Sequence, residues 1–509
     1  MKKENLSKRY FFKLISSVIV ILLNIVLQMA LPRIMTMEEY GFVSYNLNIF
    51  TSILTIANLS TSNAVCVKVA HRNNDRGILT FYFKFLIYIN IILIVATLVL
   101  YPIFLKDIIF AGQSVLTVLL ALEATFMLRF QTDVVALYDS FAIAKEQAYA
   151  QVILKTLICI AVLIGYVTGI FNLLYFYLCQ FVIIGIVMYL LVFKLLKYQI
   201  SIYEFLIYNN TLFYVKEFYI FCKPLFISQM ICQGTMFLMN WALMHWGGVY
   251  QQALFSAAWQ FNILLAAFFE PYVALLGREF ATDVDRSVLN EKYNGATIYM
   301  GIILGYFTMY IIANNGSIIR LIFGDKYLGI ESLVPLVMLY TFFQAYGQIL
   351  GTFFLSTNKT IINAKISVVS QALLVICIWI FQILNPLFSN GLGALGISLT
   401  YVLSNIVSVN ISLFIASQLL KRSYCRDISL QLRIILIFCF FSHISKRIAD
   451  FFINSYTHYG MILNLIISMF IYSLMLMVII YIFPGTVNTT RENIKILVIR
   501  IRQKWRFVI

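Results

Sequence analysis

Residues 11–31 read FFKLISSVIVILLNIVLQMAL, and they decide what kind of protein this is. As an α-helix at 1.5 Å per residue the stretch is about 31 Å long, the thickness of a bilayer's hydrocarbon core. Its single charge, Lys13, sits near the end where the stretch begins. The basic residues before it imitate a signal peptide, but the stretch runs into Leu31-Pro32-Arg33 with no small-x-small cleavage site. It reads as a retained first membrane span.

The rest of the chain repeats this pattern. Of 509 residues, 62% are hydrophobic and 11% charged, whereas a soluble domain carries roughly a quarter charged residues; mean hydropathy is +0.90. The apolar stretches read as about fourteen helical spans, with twelve or thirteen also compatible. The second, rich in Asn, Ser and Thr, and the thirteenth, which runs into Lys446 and Arg447, are the least regular. The fold class is therefore an all-α polytopic membrane protein. A soluble enzyme and a single-span anchor are excluded.

The net charge of +16 matters through its placement. With a cytoplasmic N-terminus, 27 of the 37 basic residues fall on the cytoplasmic side and six on the other. The remaining four, Lys84, Arg129, Lys155 and Lys223, fall inside spans. That asymmetry predicts both termini inside and an even number of helices, and it makes nucleic acid a poor explanation for the basic balance. The eight cysteines form no CxxC pair and the four histidines are isolated, so neither a metal nor another cofactor is expected. The outer loops leave no room for a folded extramembrane domain.

Lys13 and Lys223 stand 210 residues apart, each near the start of a span. Ile103-Phe104-Leu105-Lys106-Asp107 and Ile322-Phe323-Gly324-Asp325-Lys326 occupy corresponding places before the fourth and tenth spans. The order of these pairs predicts an internal repeat. Its parts are an N-terminal six-helix lobe (1–196), a cytoplasmic connection (197–218), a second six-helix lobe (219–420), an extra helix pair (421–484) and a basic cytoplasmic tail (485–509).

Polar residues are striped along particular spans. Lys13, Ser17, Asn24 and Gln28 share one face of the first helix, and Asn48, Thr51, Thr55, Asn58 and Ser62 one face of the second. Gln229, Gln233 and Asn240 stripe the seventh; Gln252, Ser256, Trp259 and Glu270 the eighth. An unpaired polar group in hydrocarbon costs several kcal/mol. Two readings follow: interhelical hydrogen bonds, worth about 0.6 kcal/mol each, or a hydrated cavity. The candidate substrate-binding residues are Lys13, Asn24, Gln28, Asn58, Lys223, Gln229, Gln233 and Asn240. Both lysines have an alternative as snorkelling side chains. Glu123 has no partner along its helix and Glu270 faces the stripe of the eighth, so these two are the candidates for ion coupling. Arg129 and Asp133, four residues apart, read as a self-neutralising pair. Lys84 and Lys155 lie nearer span ends.

Three motifs carry a family resemblance. Pro32-Arg33-Ile34-Met35-Thr36-Met37-Glu38-Glu39-Tyr40-Gly41-Phe42 resembles the G-x-E-x-(Y/F)-G turn after the first helix of bacterial polysaccharide-repeat flippases, with Met where the turn has its first Gly. Phe323-Gly324-Asp325-Lys326-Tyr327 resembles their F-G-x-x-Y signature, and Gly391 to Thr400 their G-x-x-G-A-A-x-A-T segment. The chain thus resembles Wzx-type O-antigen or capsule flippases of the multidrug/oligosaccharidyl-lipid/polysaccharide exporter superfamily.

The resemblance implies a V-shaped, alternating-access transporter of the bacterial inner membrane with two six-helix lobes. The implied substrate is an undecaprenyl-diphosphate-linked glycan, bound in a cationic cavity. It also implies membrane lipids and polysaccharide polymerase machinery as partners, no ATPase subunit and no catalytic residues. No GxxxxGK[ST] phosphate loop occurs. The rivals are a drug or cation antiporter of the same superfamily, a lipid II flippase and, least favoured, a membrane enzyme of polysaccharide synthesis.

Overall fold

The computed structural model describes residues 6–71, 76–141, 143, 145–199, 211–282, 286–357, 359–383, 392–453 and 457–488, with the side chains of residues 6–14 and of some other helical positions outside the description. The Lys13 side chain, Gly391, residues 200–210 of the predicted connection and the tail from 489 lie outside them.

The described residues are helical and contain no strand. The first part of the chain forms α1 (Leu6–Ile34), α2 (Met37–Ala57), α3 (Thr61–His71), α4 (Arg76–Leu100), α5 (Val115–Ser140), α6 (Lys145–Thr168), α7 (Leu173–Gln199) and α8 (Thr211–Ala242). Then come α9 (Gly248–Thr282), α10 (Arg286–Ala313), α11 (Asn315–Phe323), α12 (Leu333–Ser356) and α13 (Thr360–Ile378). α14 (Gly393–Leu420), α15 (Tyr424–Phe452) and α16 (His458–Ile482) complete the order.

Among the described residues, twelve stretches are long and apolar enough to cross a membrane, and α2 with α3 make a thirteenth. One of the twelve, Phe226–Gly277, has 52 residues, about 78 Å of helix and more than two bilayer cores. It turns back at Gly248, whose φ is 76°. There Gln252 Nε2 donates to Asn240 Oδ1 at 3.2 Å, across twelve residues that a straight helix would spread over about 18 Å. Counting this stretch as two passes gives fourteen. The protein is a multi-pass membrane protein.

The second span is not one continuous helix. Leu59 and Ser60 have φ of 51° and 63°, a conformation costing roughly 1–2 kcal/mol for each L-residue. α2 and α3 therefore meet at a 58° bend.

The motif glycines have steric reasons. A Cβ on Gly41 would lie 2.4 Å from the Val249 carbonyl oxygen, so only Gly lets α2 approach the start of α9 this closely. Gly324, with φ 82°, ends α11 and sends Phe323 and Tyr327 into the interior. Ahead of Gly41, Thr36 and Glu39 form a capping box: the Glu39 N–H donates to Thr36 Oγ1 at 3.1 Å, and the Thr36 N–H to Glu39 Oε2 at 3.0 Å.

The chain forms two compact units, Met1–Ser256 with Ile378–Ala394, and Ala257–Cys377 with Leu395–Ile509. α8 packs along α2 and belongs to the first unit. In that unit α1 packs on α6, α5 on α7, and Tyr45, Tyr82, Tyr138 and Tyr177 are fully buried. Their hydroxyls find partners, as lipid requires: Tyr45 donates to the Ile109 carbonyl at 2.6 Å and Tyr138 to that of Leu191 at 3.0 Å. In the second unit α10 packs on α12 and α15 around Tyr293, Phe342, Phe354 and Phe438.

Candidate functional site

The first unit carries the polar residues in three groups, and they are used differently. The first lies where α2 meets α8 and the start of α9. Asn240 Oδ1 accepts from Asn48 Nδ2 at 3.1 Å and from Gln252 Nε2 at 3.2 Å, while Asn240 Nδ2 donates to the Met236 carbonyl at 2.9 Å. Ser44 and Ser256 share a short hydrogen bond, and Ser60 donates to Gln229. The stripes of α2, α8 and α9 thus meet and satisfy one another. For Asn240 and Gln229 the interhelical reading is the one realised here. Gln233 is half-buried on the same helix.

The second group lies at the bend between α2 and α3. Asp133 Oδ2 accepts from the Tyr82 hydroxyl at 2.8 Å and from Asn58 Nδ2 at 3.4 Å, and Arg129 Nε stands 3.6 Å from its Oδ1. Arg129 Nη2 also donates to Ser62 Oγ at 3.1 Å. Thr61 bonds back to the Asn58 carbonyl at 2.7 Å. Buried Asn58 is thus committed to holding Asp133 and the bend, and the Arg129–Asp133 pair is neutralised as the spacing predicts.

The third group is on α1 and α6. Ser17 is exposed, and Asn24 and Gln28 are half-buried with no hydrogen bond among the described residues. α6 presents Gln147, Gln151 and Lys155 at four-residue spacing, one face of a helix. Lys155 is the eleventh of 24 residues, mid-span and not near an end as the sequence suggested. It is partly buried and has no hydrogen bond or ion pair among the described residues. Glu146, nine residues earlier, pairs through Oε1 with Lys194 at 2.7 Å. At the end where α1 begins, a cavity of about 220 Å³ opens between α1, α5 and α6, bordered by Ser16, Ser17, Gln147 and Gln151. The i, i+4, i+8 spacing of Gln147, Gln151 and Lys155 was the sequence signal for this face.

Other predicted residues stand apart. Lys223 is exposed, its Nζ 5.9 Å above the Tyr219 ring. Glu123 does have a partner: Asn90 Nδ2 donates to its Oε1 at 3.1 Å, from α4. Glu270 is exposed, in the second unit, next to Pro271. That unit also has a groove of about 940 Å³ along α10, α15 and α16, with Ile302, Phe438, Leu476 and Met477 among its walls and no charged residue. No group of His, Cys, Asp or Glu among the described residues could hold a metal ion.

No protein-family profile matches the sequence, and no curated protein matches it. Solved structures do share its fold. The lipid II flippase MurJ, in an inward closed conformation, aligns over 93% of this chain and 98% of its own at 13% identity, with a TM-score of 0.65. An inward-facing multidrug resistance MATE transporter of the MOP superfamily aligns over 78% of this chain and 98% of its own, at 13% identity and a TM-score of 0.56. A MOP superfamily transporter from Pyrococcus furiosus aligns over 83% and 98%, at 15% identity and 0.54. The chain shares the fold of these MurJ and MATE structures over most of its length.

Proposed function

We propose that the chain is a flippase that carries undecaprenyl-diphosphate-linked oligosaccharide repeat units, of the O-antigen, capsule or exopolysaccharide kind, across the bacterial inner membrane. The observation that carries this reading is Lys155, a mid-span cation with no counter-ion among the described residues. An unpaired Lys at the centre of a span costs about 2.5–3.5 kcal/mol or more. An anionic headgroup offsets that cost when it binds. The fold shared with a lipid II flippase supports the same class of cargo.

In this reading the diphosphate reaches Lys155 from the cytoplasmic leaflet, assisted by Lys13 and Lys223, and Asn24 and Gln28 bond the headgroup further along α1. The lipid chain stays in hydrocarbon. Both termini are cytoplasmic, in keeping with the basic asymmetry. Glu123, held by a neutral amide and not by a cation, can take up a coupled proton, and Glu270 is proposed for the same role. Polysaccharide polymerase machinery is the partner that receives the product.

The test is genetic and chemical. Deleting the gene should abolish surface polysaccharide and trap complete repeat units on undecaprenyl diphosphate in the inner leaflet. Lys155→Gln at normal protein level should lower export at least tenfold, the loss of one charge-assisted contact of about 1.5–3 kcal/mol. Normal glycan with altered drug or cation sensitivity would overturn the reading in favour of antiport.

A further inference from the structure

The structure fixes where the chain leaves its last span. α16 has 25 residues, about 37 Å of helix against about 30 Å of hydrocarbon core. The turn after it, Pro484–Val487, therefore emerges at the level of the lipid headgroups. Tyr481 is exposed just before it, at the depth where tyrosines gather. Arg433 of α15 clamps the turn: its Nη1 donates to the Gly485 carbonyl and its Nη2 to Asn488 Oδ1 at 2.7 Å. Val487 is fully buried in the core of the second unit. The segment after Asn488 starts from this clamp, beside the membrane surface.

That segment is basic and apolar at once. Residues 489–509 carry Arg491, Lys495, Arg500, Arg502, Lys504 and Arg506 against one acid, Glu492. Ten of the sixteen residues from Ile494 to Ile509 are apolar, Trp505 and Phe507 among them. Basic residues alone would suit any polyanion. Apolar residues between them suit a charged surface with hydrocarbon under it. Arg491 lies three residues past the clamp, at most about 11 Å of chain. The field of an anionic leaflet reaches about one Debye length, roughly 8–10 Å, so the segment enters it at once. Among the described residues, Arg426 is exposed on the face of α15 that carries Arg433, two turns nearer the helix start. Its neighbour Asp427 is buried and bound by Arg422.

We propose that residues 489–509, together with Arg426, form a binding site for anionic phospholipid headgroups of the cytoplasmic leaflet, and so tie the end of α16 to the charge of the membrane. The choice of leaflet rests on the topology in the flippase reading. The binding itself does not depend on the cargo.

The test uses the full-length protein in nanodiscs of phosphatidylcholine, with and without phosphatidylglycerol. Chymotrypsin, which cuts after Trp505 and Phe507, reports whether the segment is free. Phosphatidylglycerol should slow that cleavage at least tenfold, since about 1.4 kcal/mol is little more than the attraction of one basic residue to an anionic surface. Salt at about 1 M, where the Debye length falls to about 3 Å, should restore the rate. The combined variant Arg500→Gln, Arg502→Gln, Lys504→Gln and Arg506→Gln should be cut equally fast in both lipids. Its melting temperature should be unchanged, because the clamp at Arg433 is intact. Arg426→Gln should narrow the difference between the lipids. Equal cleavage of the wild type in both lipids would overturn the site and leave the flippase reading standing. Protection by added RNA and not by phosphatidylglycerol would do the same, and would make the segment a nucleic-acid arm. Cleavage by chymotrypsin added outside right-side-out vesicles would place the segment on the outer face; the topology of the flippase reading would then fall, and the assignment with it.

Discussion

The seam of α2 with α8 and the face of α6 towards α1 are built from the same amides and hydroxyls at the same helical spacing, yet they are used in opposite ways. Along the seam, Asn48, Asn240 and Gln252 close on one another. On α6, Gln147 keeps an unbonded oxygen and Lys155 an unanswered charge among the described residues. Residue type and period make a stripe polar. Whether a facing helix consumes its hydrogen bonds decides if it is glue or a site.

The comparison can be broken or sharpened by substitution, reading stability from thermal unfolding of the solubilised protein and function from export. Asp133→Ala should do most damage, about 3 kcal/mol, because it strands Arg129 and frees the bend at Asn58. Retention of wild-type stability would show that the bend is held some other way. Gly41→Val should cost about 1–3 kcal/mol by forcing α2 off Val249, with a matching fall in melting temperature. Asn240→Ala removes the acceptor shared by Asn48 and Gln252 and should cost about 1 kcal/mol, two bonds at roughly 0.6 each. Lys155→Gln should change stability least, within about 0.5 kcal/mol or slightly upward, since it removes a charge that no group among the described residues answers. A Lys155→Gln protein as unstable as Asp133→Ala would mean that Lys155 is structural, and the contrast between the two faces would fail.

Much of the fold was legible because lipid is a strict solvent: span length and polar stripes must show in a chain that crosses it. The break after Asn58 was not legible, because Leu59 and Ser60 are neither Gly nor Pro and take positive φ only with Asp133, Thr61 and Gln229 as supports. In the sequence Lys155 reads as nearer a span end, although α6 begins at Lys145 and places it centrally. The cavity beside Gln147 needs three helices at once, and no single-helix periodicity reports that. The packing of α8 on α2 is likewise a long-range fact.

That long range has a cost in time. Asn48 waits for Asn240, 192 residues later in the chain. At about 5–20 residues per second the ribosome takes roughly 10–40 seconds to supply it. For that interval a newborn α2, with its unbonded asparagines and serines, needs an insertase or the rim of the translocon as a temporary neighbour. Biogenesis, and not only transport, is therefore written into the seam.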